Sequence, residues 1–260
     1  MLSRSIYSLL ILPAVALCMS ASPMPGIAGS AAAEVSAAPV SAPPISAPPK
    51  RPPYRVLRQG MFALSKIDSA AVVMLGDSLT EGAQWAEITG CRSLANRGIG
   101  ADDSAGVARR LDEVIKLRPS AVFLMIGVND VASGVPTTTI VDNVQQTIAT
   151  LARGGARVYL TLVLPVAENY RRKINSKIDE LNAAYREIAE QANVTLVDFR
   201  AETRTEAGNL RDELTVDGIH LTPDGYRVWR DAIEPLVEKH CSSSETQTSA
   251  AKPRLANGRR

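Results

Sequence analysis

Four short stretches of this 260-residue chain carry side chains that could do chemistry together. The first is Gly76-Asp77-Ser78-Leu79, at the end of the apolar run Ala70–Leu75 and just before a helical pattern. A serine at a strand-to-helix junction sits beside backbone N–H groups with no partner, and such groups can stabilise an oxyanion. A hydroxyl becomes nucleophilic only when a base takes its proton, and histidine suits that task. The chain has two histidines, His220 and His240. His220 follows Asp217 by three residues in Asp217-Gly218-Ile219-His220. One turn of chain lets that carboxylate orient one ring nitrogen and leaves the other for a serine. The remaining stretches, Asn96–Asp102 and Gly127-Val128-Asn129-Asp130, offer a glycine-rich turn and an amide as oxyanion donors. The pattern is that of acyl transfer through a serine nucleophile: Ser78 attacks, His220 is the base, and Asp217 orients it. Ser78 N–H, a backbone N–H from the Gly100-Ala101 turn and the Asn129 amide are the candidate donors to the oxyanion.

These residues need a frame that gathers them. Ala70–Leu75 reads as a buried parallel strand, Ser93–Asn96 as a short second one, and Ala121–Ile126 as the central one. Arg157–Leu164 and Val194–Val197 complete five strands. Between them lie helical patterns: a short one near Ala83–Ile88, one bearing Val107, Leu111, Val114 and Ile115, one opening at Pro136, and one over Ile174–Ala192. A long loop, Arg200–Ile219, precedes a last helix that starts at Thr222-Pro223, a cap followed by proline at the first helical position. Strands alternating with amphipathic helices mean an α/β fold with a parallel sheet covered on both faces. Strand order 2-1-3-4-5 sets Ser78, the Gly98–Ala101 turn and Asn129 side by side at carboxyl ends, where doubly wound sheets bind ligands. The long loop then carries Asp217 and His220 back to Ser78.

In these four blocks, taken in order, the chain resembles the SGNH hydrolases, also called GDSL lipases or esterases. The resemblance covers about Ala71–Leu236 and is nearest to sialate O-acetylesterase-like and platelet-activating-factor-acetylhydrolase-like members. It implies a flavodoxin-like three-layer α/β/α sandwich and a Ser–His–Asp mechanism with no metal or other cofactor. It also implies Ser78, Asp217 and His220 as catalytic residues, and Ser78, Ala101 and Asn129 as the oxyanion hole. The family usually has glycine where this chain has Ala101. The donor there is a backbone N–H, which alanine keeps, but its methyl group narrows the acyl pocket or tilts the peptide, and Gly100 N–H is the fallback donor. The implied activity is hydrolysis of acetyl or short-chain acyl esters of small molecules or carbohydrates. Acyl transfer to an envelope glycan uses the same residues, and thioesters and lysophospholipids are further substrates of this chemistry. No large lid insertion is visible, which argues against long triglycerides. A non-catalytic binding module predicts a missing catalytic residue, and none is missing. A general α/β-hydrolase wants Gly-x-Ser-x-Gly, but the fifth position here is Thr80.

Other features read as structural. Asp77 holds its turn by accepting backbone hydrogen bonds. Asp102 and Asp103 start a helix, and His240 ends one. Tyr226 and Trp229 lie on an apolar helix face and belong to the core. Tyr170-Arg171-Arg172-Lys173 reads as a solvated loop, with contact to the leaving group of an anionic or sugar ester as the alternative. Net charge of +2 is too mild to argue for nucleic acid, and the chain has no zinc-finger spacing.

The ends differ from the middle. Residues 1–33 read as a signal peptide: Arg4 is followed by the apolar stretch Ile6–Met19, too short for a comfortable membrane span. Residues 34–55 are a Pro/Ala-rich linker that cannot bury enough surface to order itself. The hydrolase domain is placed at 56–241 and a disordered polar tail at 242–260. Export puts the mature protein in the periplasm or outside the cell, with no membrane span after cleavage. Cys91 and Cys241 could pair there, but two unpaired thiols is the reading preferred from spacing alone.

Overall fold

The computed structural model describes residues 53–192 and 194–250. The expected signal peptide and most of the expected linker lie outside the described residues. The structure begins with a helix where the linker was expected to end. This helix, α1 (Tyr54–Ala63), turns Arg55, Arg58 and Phe62 toward the domain and leaves Tyr54, Val56, Leu57 and Met61 exposed. The Phe62 ring lies between two guanidinium groups, Arg97 at 4.7 Å and Arg58 at 5.0 Å from its centroid. Docking of α1 is therefore polar and cationic, which an apolar periodicity does not reveal.

The sheet has the expected order, with all pairs parallel. Its strands are β1 (Val72–Gly76), β2 (Leu94–Gly98), β3 (Ala121–Met125), β4 (Arg157–Thr161) and β5 (Thr195–Val197). β1 and β3 are buried along their whole length, as strands covered on both faces must be. β4 stops three residues short of the expected end at Leu164. The Asn182 side chain takes over from the ladder there, accepting from Val163 N–H and donating to Val163 C=O, each at 2.8 Å.

Helices cover both faces. The short α2 (Ser78–Glu81) and α3 (Trp85–Ile88) follow β1. The helix expected around Val107–Ile115 is two, α4 (Ser104–Ala108) and α5 (Leu111–Ile115). Arg110 leaves the helical path between them, at φ −122° and ψ 23°, and its side chain is buried beneath the site described below. α6 (Val128–Ser133) and α7 (Thr137–Arg153) follow β3, and α8 (Asn175–Ala192) follows β4. α7 packs on α4, α5 and α8. The long loop contains α9 (Arg200–Thr203) and a 3-10 turn at Asp212–Leu214.

The last helix, α10 (Pro223–Ala250), packs over β1 and α9, and continues past the expected start of the tail at Ser242. Its Trp229 is buried against Trp85, ring centroids 4.7 Å apart, so the core reading of that residue holds. His240 lies inside α10. Its ring bonds Tyr159 Oη at 2.9 Å and Ser120 Oγ at 3.1 Å, which ties α10 to β4 and makes it a packing residue.

Cys91 and Cys241 form a disulfide, with Cα atoms 5.8 Å apart across 150 residues of sequence. This corrects the preference for unpaired thiols. Sequence separation alone could not show that the end of α10 passes the turn before β2. A bridge closing so long a loop restricts the unfolded chain strongly. Replacing both cysteines by alanine should lower unfolding stability by about 2–4 kcal/mol in oxidising buffer. Urea unfolding with and without reductant checks this. Reductant should lower the wild-type midpoint and leave that of the double variant unchanged.

Candidate active site

Register brings the site together. Gly76 of β1 pairs with Gly98 of β2 on one side and Met125 of β3 on the other. Three chains thus leave the sheet at one level, carrying Ser78, the Ile99–Asp103 turn and Asn129. α2 can lie against β2 because residue 98 is a glycine. A Cβ there would sit 2.2 Å from Glu81 N. Asn96 secures the same contact, donating to the carbonyls of Thr80, Glu81 and Ala83 and accepting from Gly98 N–H at 2.8 Å.

Ser78 opens α2, and Asp77 caps it by accepting from Leu79 N–H at 3.0 Å, as expected of that carboxylate. α10 supports the turn from above, where the Tyr226 hydroxyl donates to Leu79 C=O at 3.0 Å. Burial and the nearby Asp77 charge push the Tyr226 phenol up to about 12, so it stays a donor.

The long loop delivers the other two groups. Ser78 Oγ lies 2.9 Å from His220 Nε2, and His220 Nδ1 lies 2.7 Å from Asp217 Oδ2. The second Asp217 oxygen accepts from the N–H groups of Ile219 and His220 at 3.1 and 2.8 Å. Gly218 between them has φ +92°, a conformation that disfavours side chains. Its carbonyl accepts from Ala167 N–H at 2.8 Å, and Thr215 Oγ1 donates to His220 C=O at 2.8 Å. Loop and ring are thereby fixed. Burial would push the Asp217 carboxyl up. The hydrogen bonds from the His220 ring and from two N–H groups outweigh it and hold the carboxyl below the ordinary range. An ionised Asp217 can only accept, so Nδ1 carries the proton and Nε2 accepts from Ser78 Oγ–H.

Asn129 donates to Asp102 C=O at 2.9 Å, which leaves its second amide hydrogen for another acceptor. Ala101 is exposed, in the left-handed region at φ 58°, and its N–H donates to no described residue. Gly100 N–H is engaged, donating to Glu81 Oε2 at 2.5 Å. That removes Gly100 as a fallback donor and leaves Ala101.

Several groups that sequence reasoning missed lie beneath the turn. Asp103 caps α4 through Gly106 N–H, but Asp102 is no helix-start residue. Its carboxylate is fully buried and paired with Arg110 Nε at 2.8 Å, while Arg110 Nη2 donates to Gly76 C=O at 3.0 Å. Asp130 accepts from Ser104 N–H and Oγ–H at 2.9 and 2.7 Å, bracing the Asn129 turn against α4. Acidic pairs at helix starts are common, so no sequence signal marked Asp102 for burial. In the basic cluster, Arg171, Arg172 and Lys173 are exposed, and Lys173 donates to Glu168 C=O at 2.5 Å.

Residues 74–228 match the model of the GDSL-like lipase/acylhydrolase family. The chain therefore belongs to that family, the SGNH hydrolases. A GDSL-like lipase from Bacteroides thetaiotaomicron shares 26% identity over 71% of this chain and 97% of its own, with a TM-score of 0.63. The acetyl xylan esterase AlAXEase has the same fold, at 23% identity and a TM-score of 0.57, over 64% of this chain and 98% of its own. An N-acylneuraminate cytidylyltransferase of Streptococcus agalactiae is 26% identical over 171 residues, 65% of this chain. The chain spans about two fifths of the length of that relative, 39%.

Two predictions arise from this geometry. Burial raises the Asp77 carboxyl to about 7 from its ordinary 3.8, aided by the charges of Asp102 and Asp130 and opposed by Leu79 N–H and His220. Between those two values the native state holds more protons than the unfolded chain, so stability falls as pH rises through that window and levels off above it. Asp77→Asn should therefore stabilise the protein more at pH 8 than at pH 5, by about 1–3 kcal/mol. Urea unfolding at both pH values measures this, and an equal effect at both counts against it. Ala101→Gly should add about 0.5–1 kcal/mol by relieving the left-handed alanine. A lower thermal midpoint for that variant would contradict the assigned strain.

Proposed function

We propose that this protein is a serine esterase that cleaves acetyl or short-chain acyl esters through an acyl-enzyme. The observation that carries the reading is the unbroken chain from the Ser78 hydroxyl through the His220 ring to the Asp217 carboxylate, at 2.9 and 2.7 Å. Ser78 Oγ attacks the ester carbonyl while its proton passes to His220 Nε2. The imidazolium formed is stabilised by Asp217, and the carbonyl oxygen becomes an oxyanion facing Ser78 N–H, Ala101 N–H and the free Asn129 amide hydrogen. Collapse expels the alcohol, which takes the proton from His220. Water then repeats the sequence on the acyl-enzyme and releases the acid.

A carbohydrate ester is the favoured substrate. The relative named for N-acylneuraminate chemistry supports that choice. We place the protein in the periplasm or outside the cell. Its disulfide supports this, since such bridges persist in oxidising compartments.

The test is a panel of p-nitrophenyl esters of increasing acyl length, run beside acetylated sugars with and without an added glycan acceptor. Acetate should be turned over fastest, and free acid should be the product. Ser78→Ala should abolish turnover, and Asn129→Ala should lower kcat by about 10²–10³ with the fold intact. A loss of only a few-fold removes Asn129 from the oxyanion hole. Transfer of the acyl group to glycan in preference to water would replace hydrolysis by acyl transfer.

A further inference from the structure

The residues that set the Ala101 turn extend beyond the region matched by the family model, which starts at residue 74. Ala101 stands between two anchored neighbours. On one side, Gly100 N–H is held by Glu81 Oε2 at 2.5 Å. On the other, Asp102 is held at three points. Its N–H donates to Ile99 C=O at 3.1 Å, its C=O accepts from Asn129, and its carboxylate is buried against Arg110.

Helix α1 grips both anchors. Tyr54 Oη donates to Glu81 Oε1 at 2.5 Å, and Arg58 Nε pairs with the same oxygen at 2.8 Å. Arg55 Nη2 pairs with the buried Asp102 Oδ1 at 2.8 Å. Gly106 makes room for that pair, since a Cβ there would lie 2.7 Å from Arg55 Nη2 and 1.9 Å from Asp102 Oδ1. The Tyr54 ring comes within 3.3 Å of where a Cβ on Gly100 would be. The hydrogen bond to Glu81 also holds the Tyr54 phenol above its ordinary value, so it remains a donor. Asp102 Oδ1 is buried and accepts no hydrogen bond from the described residues, so the Arg55 charge at 2.8 Å is what offsets it.

We infer that α1 is a strap that sets the oxyanion turn, with Tyr54, Arg55 and Arg58 as positioning residues acting through Glu81 and Asp102 on the Ala101 and Asn129 donors. None of the three touches the reacting atoms. The peptides on either side of the Gly100–Ala101 peptide are held: Glu81 binds Gly100 N–H, and Asp102, whose N–H is bound by Ile99 C=O, is anchored by its buried carboxylate. Helix α1 pairs with both carboxylates. A turn containing Gly98 and Gly100 has freedom to rotate its peptides, and an oxyanion donor must be aimed before the reaction to be effective. The inference rests on the esterase reading above.

The full chain is assayed with p-nitrophenyl acetate for kcat and KM, and with phenylboronic acid, whose tetrahedral adduct on Ser78 needs the same donors. The variants are Arg55→Ala/Arg58→Ala, Arg55→Lys/Arg58→Lys, Glu81→Ala and Tyr54→Phe. The double alanine variant should lose about tenfold in kcat with KM changed less than twofold, and boronate affinity should fall by a similar factor. Glu81→Ala should lose at least as much. The lysine pair keeps both charges and should recover most of the loss. Tyr54→Phe removes one hydroxyl from an exposed ring, so it folds whatever the others do, and it should lose about two- to fivefold in kcat.

Unchanged kcat and boronate affinity in the folded variants, with only a lower thermal midpoint, would make α1 a structural element and overturn the inference. A rise in KM with kcat intact would make it a substrate wall and overturn it as well. If the wild type fails to turn over any ester, or Ser78→Ala keeps full activity, the esterase reading fails first. If wild type and Ser78→Ala behave as stated and the α1 variants do not, the strap alone fails.

Discussion

Everything at the site depends on three strands ending on one level. Because Gly76, Gly98 and Met125 are paired across β1, β2 and β3, the chains beyond them emerge together. A shift of one residue in any strand would reverse its faces as well as move its turn, since side chains alternate. The buried, apolar composition of β1 and β3 makes such a shift costly. The sheet thus fixes the serine and the Ala101 turn, and leaves the histidine to be supplied by a separate loop. That loop is held by its own short bonds, from Ala167 to Gly218 and from Thr215 to His220. The serine and the histidine meet in the 2.9 Å bond between hydroxyl and imidazole.

Below this contact lies an unusual concentration of buried charge. Asp77, Asp102 and Asp130 are buried within five residues of the strand ends, and Arg110 is buried against Asp102. Burying charges is expensive unless they are paired, and replacing such pairs by apolar groups is often neutral for stability. Their retention here makes sense as orientation. Each binds backbone or a neighbouring turn: Asp77 holds the α2 start, Arg110 the end of β1, and Asp130 the start of α4. Polar groups give direction where apolar packing gives only proximity. Aiming two or three N–H groups at one point requires direction.

The sequence made some of this legible and hid the rest, for physical reasons. Strand order and the turns bearing Ser78 and Asn129 were readable, because apolar runs and their abrupt ends mark parallel strands. The Asp217–His220 pair was readable because its partners are three residues apart. The exact end of β4 was not, since Asn182 on a distant helix replaces its ladder bonds. Docking of α1 was hidden because it rests on ion pairs to residues 23 and 47 positions away, and its Arg55 and Arg58 read as ordinary surface charge. The break between α4 and α5 was hidden because Arg110 looks helical until its buried partner is known. The disulfide was a matter of where α10 passes in space.

That disulfide has a topological consequence. The segment between Cys91 and Cys241 forms a covalently closed ring, and the Ala101 turn, Asn129, Asp217 and His220 all lie within it, with Ser78 outside. A protease cut at any one bond inside the ring severs the backbone without releasing a fragment. The long surface loop that bears His220 can therefore be nicked while both halves stay tethered to each other and to the strand bearing Ser78, until the bridge is reduced.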